Sequence, residues 1–391
     1  MNSKILKCNI SKKCGSCQLI DKEYNETLKI KLNHVNSLFK QNNINYQIRE
    51  INPSPNITQY RNKMIVGFRY VNNEIIAGFY EENSHKVIAL DNCLMHSDIQ
   101  NKIVKETINI MKSLKLRPYD EDRRTGLIRY LLIKEGFKTK DIMVVIVTGQ
   151  EVFPGSNEFC KRIKAIDKNI KTIIQNINTR KTSVVLGDKE KVLYGPGQIS
   201  DYLCNLKFNI TSKSFFQVNP LQAERLYQKT KDYCDFKGNE VIIDAYSGVG
   251  TIGMFLSDKV KKVISVENNK QAHYAAITNA KNNNIKNVLF HNDDATNFIN
   301  YLAVNREKID VVVMDPPRTG STEQFIMSCV KLRPKKIVYV SCGPDTLARD
   351  LKLFIKNNYV ISKASCFDMF CFSEHIETVV LLTQKDNKPR I

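Results

Sequence analysis

Cys342 has the setting most suggestive of chemistry. It lies in Val-Tyr-Val-Ser-Cys-Gly-Pro-Asp-Thr-Leu-Ala-Arg-Asp, residues 338–350. Lys336–Val340 is a short β-branched run bounded by charge, the pattern of a buried strand. Gly343 and Pro344 end it, and Asp345 or Thr346 is expected to cap the helix that follows. A thiol at the carboxyl end of a strand lies where open α/β sheets bind ligands. A helix N-terminus beside it is expected to lower its pKa. An isolated cysteine is ordinarily a small buried hydrophobe; this placement argues for a nucleophile. Glu377 is the natural partner. It follows Phe367-Asp-Met-Phe-Cys-Phe-Ser-Glu-His-Ile and stands at the entrance to a strand, Thr378–Thr383. It reads as a general base, against the plainer readings of a solvated carboxylate or a partner for Arg349. His375 reads as a residue that orients this loop.

A second constellation has the chemistry of a nucleotide-like cofactor. Glu240–Leu256 reads as a buried strand, a glycine-rich turn and a helix. Gly248 and Gly250 let a ligand approach the backbone. Gly-x-Gly-x-x-Gly alone serves nicotinamide enzymes and S-adenosylmethionine methyltransferases equally. Asp244 precedes the turn, and the next strand, Lys262–Val266, ends in Glu267, placed to bind ribose hydroxyls. Val288–Ala295 brings Asp293 or Asp294 near an adenine. Asp310–Met314 runs into Asp315-Pro-Pro, a strand end typical of methyltransferases that act on bases or amides. Any one of these acids could be an N-cap; four polar strand ends in register favour a cofactor crevice.

A third constellation is Cys8-x5-Cys14-x2-Cys17. Three thiols in a Lys/Gly/Ser loop suit a soft metal centre, and a closed site needs a fourth ligand. Cys93 is the best candidate, because Cys160 falls in an expected helix; His96 is a possible substitute. Four thiolates fit zinc or an iron–sulfur cluster, and spacing leaves the choice open.

These residues need elements to hold them. Helices are expected at Asp21–Gln41, Asp98–Lys115 and Asn157–Asp167. Strands are expected at Ile44–Ile51, Lys63–Tyr70, Ile75–Tyr80, Gly126–Glu135, Asp141–Gly149 and Thr182–Leu186, with a turn at Asn72-Asn73. Arg61, Lys63, Arg69 and Tyr70 interleave charge with aromatics, which suits single-stranded nucleic acid. The chain of 391 residues carries 59 Lys and Arg against 40 Asp and Glu, a net +19 that favours a polyanionic partner. No apolar run approaches the ~18 residues of a membrane span, and Met1–Lys13 lacks a signal peptide's apolar core. The expected location is cytoplasmic, with no membrane partner. Eleven cysteines are then free, metal-bound or catalytic.

Taken together, Ser-Phe-Phe-Gln-Val-Asn (214–219), Asp-Ala-Tyr-Ser-Gly-Val-Gly (244–250), Asp-Pro-Pro-Arg-Thr-Gly (315–320), Ser-Cys-Gly-Pro-Asp-Thr-Leu-Ala-Arg-Asp (341–350) and His-Ile-Glu (375–377) resemble the RNA uracil-5-methyltransferase family. The N-terminal cysteines, Arg61-Asn-Lys-Met64 and Val184-Val-Leu-Gly187 also match, so the likeness covers almost the whole chain. It implies an α/β protein in three parts: an N-terminal iron–sulfur lobe and helix (1–45, completed by Cys93), a central α+β RNA-binding domain (46–205), and a C-terminal Rossmann-like methyltransferase domain (206–391).

The resemblance further implies that Gln217, Tyr246, Glu267, Asp294 and Asp315 bind S-adenosylmethionine. It implies that Cys8, Cys14, Cys17 and Cys93 hold a [4Fe-4S] cluster rather than zinc, and that Cys342 and Glu377 are nucleophile and base. The implied partner is RNA, 23S rRNA by preference, met by a monomer. The alternatives are a tRNA substrate for the same chemistry, or a non-catalytic RNA-binding assembly factor. Two departures stand out. Cys371 and Phe372 replace a proline and a polar residue usual in relatives. The small N-terminal barrel of many relatives has no counterpart before Cys8, which leaves RNA to the central region and the cysteine lobe.

Overall fold

The computed structural model describes residues 5–81, 84, 86–181 and 184–385. The chain divides into two compact units, and both are discontinuous in sequence. The first holds 1–22, 56–202 and 207–220; the second holds 23–55, 203–206 and 221–391. The cysteine segment and the helix Tyr24–Gln41 are neighbours in sequence and belong to different units.

The first unit is built on a seven-stranded sheet. Its order is Val87–Ala89, Glu74–Tyr80, Lys63–Val71, Ile128–Glu135, Ile142–Thr148, Ile170–Ile177, Lys189–Tyr194. Asn72 and Asn73 both take positive φ, 49° and 63°, the conformation a two-residue hairpin turn demands and asparagine tolerates. Ile142–Thr148 and Ile170–Ile177 run parallel, so the helix Ser156–Ile166 makes the crossover between them. Helices Asp98–Ser113 and Ser156–Ile166 cover one face, where Met64, Val66, Ile103, Leu131, Val144 and Phe159 form the core. Ser97 starts the first of these helices with a complete capping box to Gln100.

Two expected strands are corrected here. Of the expected strand Thr182–Leu186, Val184–Leu186 is irregular and Thr182 and Ser183 lie outside the described residues; the strand comes later, at Lys189–Tyr194. Most of Ile44–Ile51 is irregular too, and only Ile51–Asn52 pairs in a sheet. The Asn36 side chain takes the place of a neighbouring strand, accepting from Ile48 N at 2.8 Å and donating to Ile48 O at 2.9 Å.

The second unit carries an eight-stranded sheet in the order Ile51–Asn52, Tyr359–Phe367, Glu377–Gln384, Lys336–Ser341, Val311–Met314, Val241–Ala245, Lys262–Val266, Val288–His291. The last five run parallel. The Val and Ile of the first four of these, Val241 apart, are buried on both faces, as helices on either side of a parallel sheet require, whereas in the edge strand only Val288 is buried. Glu377–Gln384 runs antiparallel between Tyr359–Phe367 and Lys336–Ser341. The arrangement is Rossmann-like. Val241–Ala245 sits centrally, and successive strands proceed outward from it on either side. That reversal makes a crevice at the strands' carboxyl ends.

Candidate active site and a cysteine-lined cavity

Strand register in the second unit sets the first site. Ala245 pairs with Val266 and with Met314, so Tyr246, Glu267 and Asp315 leave adjacent strands at the same edge. Ser341 pairs with Thr378, which puts Cys342 next to Glu377 one step beyond. The two residues come from strands of opposite direction, and the antiparallel insertion brings a chain entrance to an edge otherwise made of chain exits.

The glycine turn is held by acids. Asp244 is buried and accepts from Gly253 N at 2.9 Å and from Ser265 Oγ at 3.4 Å. A Cβ on Gly253 would lie 2.6 Å from that carboxylate oxygen, so the third glycine of the motif makes room for Asp244. Burial pushes the Asp244 carboxyl up to about 7. Gly248 and Gly250 take φ of 57° and 81°, and nothing lies within 4 Å of a Cβ built on Gly248, so the turn opens onto free space. Glu267 is fixed at that opening, accepting from Gly248 N at 2.8 Å and Asn269 N at 2.7 Å. Tyr246 also takes a left-handed φ, 62°, as the chain turns off the strand end. Its hydroxyl lies 2.9 Å from Ser321 Oγ. Asp294 is an N-cap, accepting from Thr296 N and Asn297 N.

The loop after Asp315 is tied down by the helix Pro344–Lys356. Asp350 accepts from Ser321 N at 2.8 Å and from Tyr339 Oη at 2.7 Å. Arg349 donates to Asp350 and to the carbonyls of Thr319 and Ser321. Arg349 is therefore committed to this loop, and the reading of it as Glu377's partner is corrected. The helix cap also differs from expectation. Gly343 is the N-cap and Pro344 the first helical residue, a position where the missing N–H costs nothing.

Cys342 is half-buried, and its thiol is pushed up to about 11. Burial is the main cause, followed by the Glu377 and Asp315 carboxylates; Arg318 opposes them. The expected lowering by the helix end is thus overturned, because two carboxylates and desolvation outweigh a helix dipole. Glu377 is 6% exposed, and burial with Asp315 raises its carboxyl well above the ordinary range, again opposed by Arg318. Asp315 is pushed up to about 7 by burial. One thiol, two carboxyls and one guanidinium therefore share a site, and the acids hold protons more tightly than in water. Arg318, three residues after Asp315 in Asp-Pro-Pro-Arg, is a site residue that the sequence signals only as a cation following a strand-end acid.

The loop before Glu377 is pinned from below. Lys31 and Asp368 form a buried pair at 2.5 Å, and Lys31 Nζ also donates to Phe370 O at 2.9 Å. Phe372, at φ 62°, packs tilted against Tyr24 with the ring centroids 5.6 Å apart. His375 packs edge-on against Phe370. Apolar and ionic contacts together fix the loop.

In the first unit, Cys8, Cys14, Cys17 and Cys93 line one cavity with Arg61 and His96. Gly15, at φ 65°, reverses the chain between Cys14 and Cys17. Burial pushes the Cys17 thiol up to about 12. Both His96 ring nitrogens are engaged, one 3.1 Å from Cys93 Sγ and the other 3.1 Å from Lys63 O, so it is not a substitute ligand in this arrangement. Cys160 is buried in the helix Ser156–Ile166, away from this set. Among the described residues, no three His, Cys, Asp or Glu side chains converge as a single-ion site. Gln217 belongs to this unit, where its carbonyl accepts from Asn62 Nδ2 at 3.0 Å. Phe215, two residues earlier, is 65% exposed.

Comparison with known proteins agrees with this geometry. A family model described as tRNA (uracil-5-)-methyltransferase matches residues 23–385. A protein of Clostridium tetani called an uncharacterized RNA methyltransferase is 39% identical over 98% of this chain and 84% of its own length. Another from Clostridium acetobutylicum is 40% identical over 97% and 83%. Among solved structures, the tRNA (uracil-54, C5)-methyltransferase of Pyrococcus abyssi, in complex with S-adenosyl-L-homocysteine, superposes with a TM-score of 0.78. It is 26% identical, and the match covers 94% of this chain and 86% of that one.

Proposed function

The chain belongs to the tRNA (uracil-5-)-methyltransferase family, and we propose that it methylates C5 of a uridine in 23S rRNA through a bond between Cys342 and C6. The family activity, S-adenosylmethionine-dependent methylation of RNA uracil, is the premise. The observation that carries the covalent reading is the juxtaposition of Cys342 and Glu377 beside the Ser341–Thr378 pair, at the edge that also bears Asp315. A tRNA uridine is the second reading, favoured by the solved neighbour's substrate.

The residues at the crevice fit S-adenosylmethionine. The open space at Gly248 suits close backbone approach, and Glu267 is oriented there by two N–H donors. Glu267 would take the ribose, with Tyr246, Asp294, Asp315 and Gln217 the remaining holders. When bound, S-adenosylmethionine supplies an electrophilic methyl group for C5.

This chain's own groups do the rest. Cys342 loses its proton to solvent and adds to C6 as the thiolate; the C5–C6 π pair moves toward C5 and O4, and C5 becomes nucleophilic. Glu377 later takes the C5 proton, the C5–C6 double bond re-forms, and sulfur leaves as thiolate. A uridine must be turned out of its stack to reach Cys342, and the exposed Phe215 ring offers a stacking face.

Cys8, Cys14, Cys17 and Cys93 would hold a [4Fe-4S] cluster. In support, four soft donors share one cavity with the buried guanidinium of Arg61, whose Nε has no hydrogen-bond partner there.

Mass spectrometry of nucleosides from rRNA and tRNA of a deletion strain tests the target. The proposal expects 5-methyluridine to vanish from one position in 23S rRNA and to return with the wild-type gene. Loss from tRNA alone would transfer the assignment to the second reading, and unchanged RNA would overturn both.

A further inference from the structure

A second cavity in the first unit lies apart from the cysteines. It is lined by Asn62, Lys63, Lys134, Glu135, Ser214 and Phe216, among others. Lys63 and Lys134 are directly opposed across neighbouring antiparallel strands. Alternation puts both on the sheet face away from the helices, because Met64 and Ile133, one residue along each strand, enter the core between sheet and helices.

Like charges in that position repel, and burial makes the repulsion worse. Lys134 is only 7% exposed. Its ammonium donates to Thr211 O at 2.8 Å and to Ser214 O at 2.7 Å, which leaves one N–H uncommitted by these bonds. Among the described residues, no carboxylate forms an ion pair with Lys63 or Lys134. Glu135, the acid in the lining, is turned to Ser97 Oγ at 2.5 Å. Lys63 is thus a half-buried lysine opposite Lys134 in this cavity; burial and then Lys63 push the Lys134 amine down to about 7, opposed by the Glu190 carboxylate, and burial and then Arg61 lower Lys63.

We propose that this cavity is a phosphate-binding site for the RNA backbone, formed by Lys63 and Lys134 on neighbouring strands and lined beside them by Asn62 and Ser214. A phosphodiester between the two ammonium groups removes the repulsion and gives both a charge-assisted partner. Lys134 also has a second task. Through Thr211 and Ser214 it holds the loop that exposes Phe215, so backbone grip and a base-stacking face are coupled on one short segment. The proposal rests on the RNA reading above, and its own failure can be told apart from failure of that reading.

The test is the salt dependence of binding to a uridine-rich single-stranded RNA of about twelve nucleotides, the length range of aromatic-lined single-strand sites. Full-length wild type, Lys63→Met, Lys63→Gln and Lys63→Arg are compared, with thermal unfolding as a check on folding. Wild type is expected to bind with a steep log–log salt slope. Lys63→Met and Lys63→Gln are expected to flatten that slope by about 0.7, the loss of one single-strand phosphate contact. Lys63→Arg should retain it. Two neutral variants keep the comparison alive if one folds poorly. Salt slopes equal to wild type in both neutral variants, with wild type binding normally, overturn the phosphate site and leave the RNA reading intact. Wild type that binds without salt dependence removes both.

Discussion

Cys342 is chemically quiet at rest. Its pKa of about 11 means that very little thiolate exists at neutral pH, and the leading causes are burial and then Glu377. Because the charged form is the disfavoured one, removing a neighbouring negative charge must lower the pKa and increase thiolate at fixed pH. Glu377→Gln is therefore expected to alkylate at Cys342 faster than wild type with iodoacetamide, with a gain that grows as pH rises and Glu377 ionises in wild type. Arg318→Gln is expected to react more slowly, since Arg318 is the opposing cation. Peptide mass mapping of the alkylated thiol checks both, and identical rates in all three proteins would remove the electrostatic coupling. Asp315, pushed up to about 7 by burial, titrates well below the thiol, and its ionisation adds negative charge beside Cys342 as pH rises through neutrality. Its raised carboxyl also contributes stability that is complete at acid pH and is lost as pH rises through about 7.

At the scale of elements, the site depends on one loop and one helix far apart in sequence. Tyr24–Gln41 supplies Lys31, and the loop entering Glu377–Gln384 supplies Asp368. Removing one member leaves an uncompensated buried charge, typically a loss of about 3–5 kcal/mol. Lys31→Met should therefore lower the denaturant midpoint strongly, whereas Lys31→Met with Asp368→Asn should recover part of the loss; equal midpoints for wild type and Lys31→Met would refute the role. This pair was not legible in the sequence, because 337 residues separate its members and each reads as surface charge. Local signals carried further where one strand end makes the site. The parallel strands leading to Glu267, Asp315 and Cys342 were named almost to their ends, since β-branched runs closed by Gly, Pro and acid are unambiguous. Ile170–Ile177 escaped notice. Its buried Thr172, Gln175 and Asn176 look like surface residues until their partners, Tyr194 O, Thr148 Oγ1 and Gly187 O, are seen.

At the scale of the molecule, the chain carries +19 and sorts its chemistry into two units. The strand-edge acids and Cys342 lie in one; the four cysteines, Phe215 and the lysine-lined cavity lie in the other. The sequence showed both chemistries but not the interleaving of their segments, which depends on long-range contacts. Cysteine spacing left zinc and iron–sulfur open. Protein purified without oxygen is expected to hold about four iron atoms per chain, and Cys17→Ser should lose them. One zinc per chain, with no iron, would replace the cluster assignment.

The central claim is a transient bond from sulfur to a pyrimidine ring. It is tested most directly by incubating the protein with S-adenosylmethionine and target RNA bearing 5-fluorouridine, whose fluorine cannot leave as the proton does. The account predicts a denaturation-resistant complex of protein and RNA, mapped by mass spectrometry to Cys342 and absent in Cys342→Ala. With ordinary RNA, Glu377→Gln should accumulate the same complex. No adduct in wild type, or an undiminished one in Cys342→Ala, would contradict it.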